Sequence, residues 1–117
     1  MMATKALVAA SSKPLILSLL SHGESYGYQI IKHVEQLSGG TLSWTDAMLY
    51  PVLQRMEKEG LIVSRWSVLD NGRKRKYYNL TPAGKEALEA EKKQWTQVHQ
   101  ALERLWNGSG LQLDLNS

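Results

Sequence analysis

Gly72 Arg73 Lys74 Arg75 Lys76 Tyr77 Tyr78 Asn79 Leu80 Thr81 sets four consecutive cations after a turn signal and ahead of an alternating strand. Asp70 Asn71 Gly72 supplies a tight turn, Leu61 to Val68 the strand before it and Lys76 to Leu80 the strand after it, so the stretch predicts a β-hairpin with a basic tip. Charge is concentrated there. Residues 1–60 carry five Lys/Arg against five Asp/Glu, residues 61–80 five against one, and residues 81–117 four against five. The formal net charge of +3 thus comes from the hairpin, the local footprint of an element that meets a phosphate backbone.

Upstream of the hairpin, Leu49, Val52, Leu53 and Met56 fall at i, i+3, i+4 and i+7, which predicts a helix closed by Gly60. Thr41 to Asp46 offers capping residues, and the helix is expected to begin close to Ala47 or Met48. Pro51 then stands near the helix start, where its missing N–H has no partner to lose. At about 100° per residue the opposite face collects Ala47, Pro51, Gln54 and Lys58, flanked by Tyr50 and Arg55. That face is small, polar and free to enter a groove. Before it, Ile30, Ile31, Val34 and Leu37 mark a second helix, with cap chemistry at Glu24 and Ser25 and a stop at Ser38 Gly39 Gly40. Leu15, Ile16, Leu19 and Leu20 mark a first helix, with Pro14 in its first turn. The Ala-rich stretch Thr4 to Ser11 is either a further short helix or an arm leading in.

After the hairpin, Thr81 caps a helix with Pro82 at its first position, and no breaker follows until about Trp106. Leu88, Trp95 and Leu102 lie seven apart, Val98 and Leu105 take the alternate seam position, and Glu91 is the one polar interruption. Such a stripe at the edge of a small domain asks for burial against another copy, so a homodimer through this helix is expected. Trp44 is read as a staple at a helix start, Trp66 as hairpin packing and Trp106 as a helix-end anchor. The chain is expected to be mainly α with a small β-hairpin (α+β): a winged helix-turn-helix over residues 1–80, a C-terminal dimerisation helix over 81–106 and a mobile tail of linker composition over 107–117.

A chain of 117 residues has room for one core. It has no cysteine, which removes disulfides and Cys-based nucleophiles or metal sites and agrees with a reducing compartment. The start, Met1 Met2 Ala3 Thr4 Lys5, lacks a signal-peptide pattern, and no apolar run approaches the roughly 20 residues that span a bilayer, so a cytoplasmic protein without a membrane partner is expected. His22, His33 and His99 lie far apart with no metal-binding spacing around them, and no glycine-rich phosphate loop follows a strand. No catalytic residues, metal ligands or cofactors are assigned, and an enzyme is not expected.

Ser25 Tyr26 Gly27 Tyr28 Gln29 Ile30, Leu49 Tyr50 Pro51, Glu59 Gly60 Leu61 Ile62, Trp66, and Arg75 Lys76 Tyr77 Tyr78 with Leu80 Thr81 and Gly84 together resemble the PadR-like transcriptional regulators, over about Leu15 to Trp106. The short single C-terminal helix resembles that of a small, multidrug-responsive subfamily. The resemblance implies a homodimeric repressor of an inverted-repeat operator in double-stranded DNA. Its third helix would enter the major groove with Ala47, Tyr50, Gln54 and Lys58 as contact candidates, and Arg73, Lys74, Arg75 and Lys76 of the wing would meet phosphates. It also implies a planar aromatic effector stacked on Trp95 at the dimer interface, with Ser18, Leu88, Val98 and His99 as neighbours. His99 one turn after Trp95, and Lys92 about one turn before it, would suit neutral or anionic planar ligands at least as well as cations. Two other readings remain open from the residues: a winged helix whose basic hairpin docks an acidic protein, and a drug-binding protein without operator binding.

Overall fold

The computed structural model describes residues 2–108. Four helices and three strands follow in the order α1 (Lys5–Leu20), β1 (Ser25–Tyr26), α2 (Gly27–Leu37), α3 (Asp46–Lys58), β2 (Ile62–Val68), β3 (Lys74–Leu80) and α4 (Pro82–Asn107). This is the expected α+β winged arrangement, with one strand more than the hairpin required. The antiparallel sheet runs β1-β3-β2, so β3 is its centre. Among the described residues no helix is long and apolar enough to cross a membrane. The expected tail begins at Asn107, which closes α4, and continues through Gly108, which caps it in the left-handed conformation; residues 109–117 lie outside the described residues.

Three local expectations are corrected. Thr4 to Ser11 and Leu15 to Leu20 form one helix, so Pro14 lies deep inside α1 rather than in its first turn. The capping side chain is Thr4, which accepts a hydrogen bond from the Leu7 N–H at 3.2 Å. Glu24 and Ser25 do not cap α2: Ser25 and Tyr26 pair with Tyr78 and Tyr77 as β1, and the α2 N-cap is Tyr26, whose side chain makes no capping bond. Thr45 caps α3 through the Met48 N–H, which starts the helix at Asp46. Pro51 therefore does remove an intrahelical bond, the one to the Ala47 carbonyl.

The core gathers Ile16, Leu17 and Leu20 of α1, Ile30 and Val34 of α2, Leu49, Leu53 and Met56 of α3, Ile62 and Tyr78 of the sheet, and Leu88 of α4. Trp44, one residue before the Thr45 cap, is buried with Leu49, the placement of a hydrophobic staple. Its indole N–H is buried without a hydrogen-bond partner among the described residues. The α4 helix enters this core tightly. A Cβ on Gly84 would run into the Leu61 carbonyl oxygen, while Thr81 ties the same corner by donating its hydroxyl to the Gly60 carbonyl at 2.6 Å. Beyond Glu91 every described residue of α4 is exposed, and the chain reaches 65 Å in its longest dimension.

Candidate nucleic-acid interface

The hairpin register decides where each wing side chain points. Residues paired across an antiparallel ladder share a face. Ser64, Trp66 and Val68 thus lie with Tyr78, Lys76 and Lys74 on the face toward α3, while Val63, Arg65 and Ser67 lie with Asn79, Tyr77 and Arg75 on the outer face. The turn is closed by the Leu69 N–H donating to the Arg73 carbonyl at 2.7 Å and the Arg73 N–H donating to Asn71 Oδ1 at 3.0 Å. Gly72 there has a φ of 82°, which a glycine takes without strain. Only Arg73 of the four consecutive cations borders the turn. Lys74, Arg75 and Lys76 are strand residues, so the expected basic tip is instead a basic strand with alternating faces.

These cations are not equivalent. Arg73 and Lys74 are exposed, whereas Arg75 and Lys76 are half-buried. Lys76 reaches back toward α3, with its Nζ 3.8 Å from Glu57 Oε1 and within 5.7 Å of the Trp66 and Tyr78 ring centres. Glu57 also accepts the Ser64 hydroxyl at 2.5 Å. On the outer face the Arg75 guanidinium lies 4.0 Å from the centre of the Tyr26 ring, and its Nη1 donates to the Tyr77 hydroxyl at 3.4 Å. Arg65 covers the Tyr77 ring at 4.9 Å and forks onto Glu24, which also accepts a hydrogen bond from Asn79 Nδ2 at 3.2 Å. The Arg65 and Asn79 hydrogen bonds hold the Glu24 carboxyl below its usual range. Burial, with the Glu57 charge behind it, pushes the Tyr78 hydroxyl up to about 12.

Between α3, the start of α2 and the hairpin runs an open groove of about 660 Å³, lined by Tyr50 and Gln54 of α3, Gly27 of α2, Trp66 of β2 and the cations 73–76. A Cβ on Gly27 would fall 2.5 Å from the Tyr50 hydroxyl oxygen, so the glycine is what admits that phenol against α2. Ala47 and Lys58 are exposed on α3 outside this lining. Sequence reasoning missed Gly27 and misassigned Trp66, which is 63% exposed at the groove rather than packed under the hairpin. The register was the missing signal, since it sets Trp66 beside Lys76 on the face toward α3.

The residues expected around an effector do not all meet. Trp95 and Ser18 border one cavity of about 380 Å³ between α1 and α4, with Leu7, Ser11, Leu15 and Leu42. Leu88 is 3% exposed and belongs to the core, Val98 faces outward, and His99 pairs with Glu103 at 3.4 Å farther along α4. The group touching Trp95 is an acid: its Nε1–H donates to Glu91 Oε2 at 3.1 Å. Lys92 is turned to Glu89 at 3.3 Å. Trp106 is 71% exposed and is not packed as an anchor among the described residues.

Among the described residues no group of His, Cys, Asp or Glu could hold a metal ion. Comparison with known proteins agrees with a regulator and not an enzyme. A regulator from Mycobacterium tuberculosis (strain ATCC 25618 / H37Rv), Rv3488, is 39% identical over 84 residues, 72% of this chain and 64% of its own length. The negative transcriptional regulator PadR of Bacillus subtilis (strain 168) is 34% identical over 76 residues, 65% of this chain and 42% of its own length. The crystal structure of a PadR-like transcriptional regulator from Bacillus cereus strain ATCC 14579 has a TM-score of 0.76 at 30% identity, covering 87% of this chain and 97% of that one. The model of the transcriptional regulator PadR-like family matches residues 16–90, so the winged fold, the cationic groove and the sequence all say that this chain belongs to the PadR-like family of transcriptional regulators.

Proposed function

We propose that the chain is a homodimeric repressor that binds an inverted repeat in double-stranded DNA, with α3 in the major groove and the wing on flanking phosphates. The carrying observation is that the exposed face of α3, through Tyr50 and Gln54, opens onto the same groove as Arg73 and Lys74. Ala47 and Lys58 extend that face along the helix. Base edges would be met by Gln54 and by the small Ala47, while cations supply position and affinity. Repression is supported by the name of the Bacillus subtilis relative, a negative regulator. Such a repressor acts where the chromosome is, in the cytoplasm.

Dimerisation is supported by Trp95, Val98, Leu102 and Leu105, which line up on α4 and are all exposed in the single chain. A two-fold dimer sets its third helices in successive major grooves about 34 Å apart, so the half-sites lie about one turn apart. The cavity beside Trp95 is the site we assign to a planar aromatic effector. The Glu91 carboxylate at the indole edge favours a flat cation there, where His99 and Lys92 suggested that neutral or anionic planar ligands would suit at least as well.

Fluorescence anisotropy against short duplexes, at about 50 and about 200 mM salt, tests the reading. With about six to eight phosphate contacts per dimer, log K is expected to fall with log salt at a slope near −5 to −7. A flat response, or no preference for any palindrome, would refute operator binding. Quenching of tryptophan fluorescence by flat cations that persists in Trp95→Ala would remove the effector site.

A further inference from the structure

The strand β1 is two residues long and pairs with β3 only at Ser25 and Tyr26. A ladder this short does not hold by its backbone alone. What covers it on the outer face is a run of alternating cations and rings: Arg75 over Tyr26 at 4.0 Å, Tyr26 edge-on to Tyr77 at 5.5 Å, and Arg65 over Tyr77 at 4.9 Å. Tyr26 is followed directly by Gly27, the residue that admits the Tyr50 hydroxyl from α3. A displacement of β1 therefore moves the seat of a groove residue on the third helix.

We propose that Arg75 is a positioning residue for DNA binding and not one of its phosphate contacts. It locks β1 to β3 and, through Tyr26 and Gly27, sets Tyr50 and α3 against the wing. The wing's charge is carried to DNA by Arg73 and Lys74, the two members of the run that stand exposed. This inference rests on the DNA-binding reading above and divides a basic run that the sequence presents as uniform.

The test is the salt dependence of binding by the full chain to a palindromic duplex selected with the wild-type protein. Arg73→Gln and Lys74→Gln should each flatten the slope by about two, one phosphate contact per half-site. Arg75→Gln should weaken binding about tenfold at every salt concentration and leave the slope unchanged. Tyr26→Leu should show the same loss, Tyr26→Phe, which keeps the ring, should bind like wild type, and the double variant Arg75→Gln/Tyr26→Leu should be no weaker than either single one. Circular dichroism sets a temperature at which every variant is folded, and Arg75→Met replaces Arg75→Gln if the latter melts early. A slope flattened by about two in the Arg75 variant, or wild-type affinity in Tyr26→Leu, overturns the proposal while leaving the regulator reading intact. A wild-type protein that binds no duplex refutes both.

Discussion

The wing and the far half of α4 both project from the same small core, and they are finished in opposite ways. The wing closes much of its surface on itself, although Val63, Trp66 and Val68 stay exposed. Its outer face is closed by Glu24, Arg65, Tyr77, Tyr26 and Arg75 touching one another, and its inner face by Lys76 and Ser64 on Glu57. The far half of α4 instead presents Val98, Leu102, Leu105 and Trp106 as exposed apolar side chains, with Trp95 half-exposed beside α1. Polar and cation–ring contacts of this kind are stable in water, because the groups that make them keep both a partner and their solvent. An apolar projection gains nothing until a second surface covers it. On the proposed reading, the wing meets its partner transiently and α4 meets one that stays.

The largest expected effect lies where the two regions meet. Gly84→Ala drives a methyl group into the Leu61 carbonyl oxygen at the junction of α4 with the hairpin, and should cost about 3 kcal/mol and lower the Tm by more than about 10 °C. A thermal melt within a degree or two of wild type would show that α4 is not pinned at this point. Next comes the exposed stripe: Val98→Glu with Leu102→Glu should convert the dimer to monomer in analytical ultracentrifugation and weaken operator binding about 100-fold, while the melt of the winged core changes little. A dimer that survives both carboxylates would place the dimer contact elsewhere than on the exposed stripe of α4. The smallest effect tests the wing's self-sufficiency through pH. The Glu24 carboxyl is held below its usual value, so its contribution is present above that value and is lost as pH falls through the lowered one. Between about pH 5 and about pH 3 the wild-type Tm should therefore fall slightly more than that of Glu24→Gln, and parallel curves would remove the Glu24 bridge from the account.

Much of the architecture was legible because it is written in short-range patterns. The i, i+3, i+4, i+7 spacing of Leu49 to Met56, the turn at Asp70 Asn71 Gly72 and the Thr81 Pro82 start of α4 each specify an element within one window of sequence. What was misread depends on distant partners. Ser25 looks like a helix cap locally and becomes a strand residue only because Tyr78, more than 50 positions later, pairs with it. Pro14 marks a first turn by propensity, yet the Ala-rich run before it extends the helix backward. In the candidate site the residue types were visible, but their directions were not. Four adjacent cations look alike until the register turns Arg75 to Tyr26 and Lys76 to Glu57. Around Trp95, spacing nominated His99 and Lys92, whereas the helix delivers Glu91 to the indole.

The length of α4 beyond its anchor has a mechanical consequence. Leu88 is fixed in the core and Asn107 lies 19 residues farther on, so the free part is an arm of about 28 Å at 1.5 Å per residue. A tilt of about 5° at the anchor carries its tip through about 2.5 Å, close to half a helical turn. In the proposed dimer, where two such arms are joined along their lengths, the leverage also runs in reverse. A flat molecule wedged near the base of one arm, beside Trp95, need open that cavity only slightly to change the spacing of the two winged cores, and the regular pitch of DNA would then act as the ruler against which that change is measured.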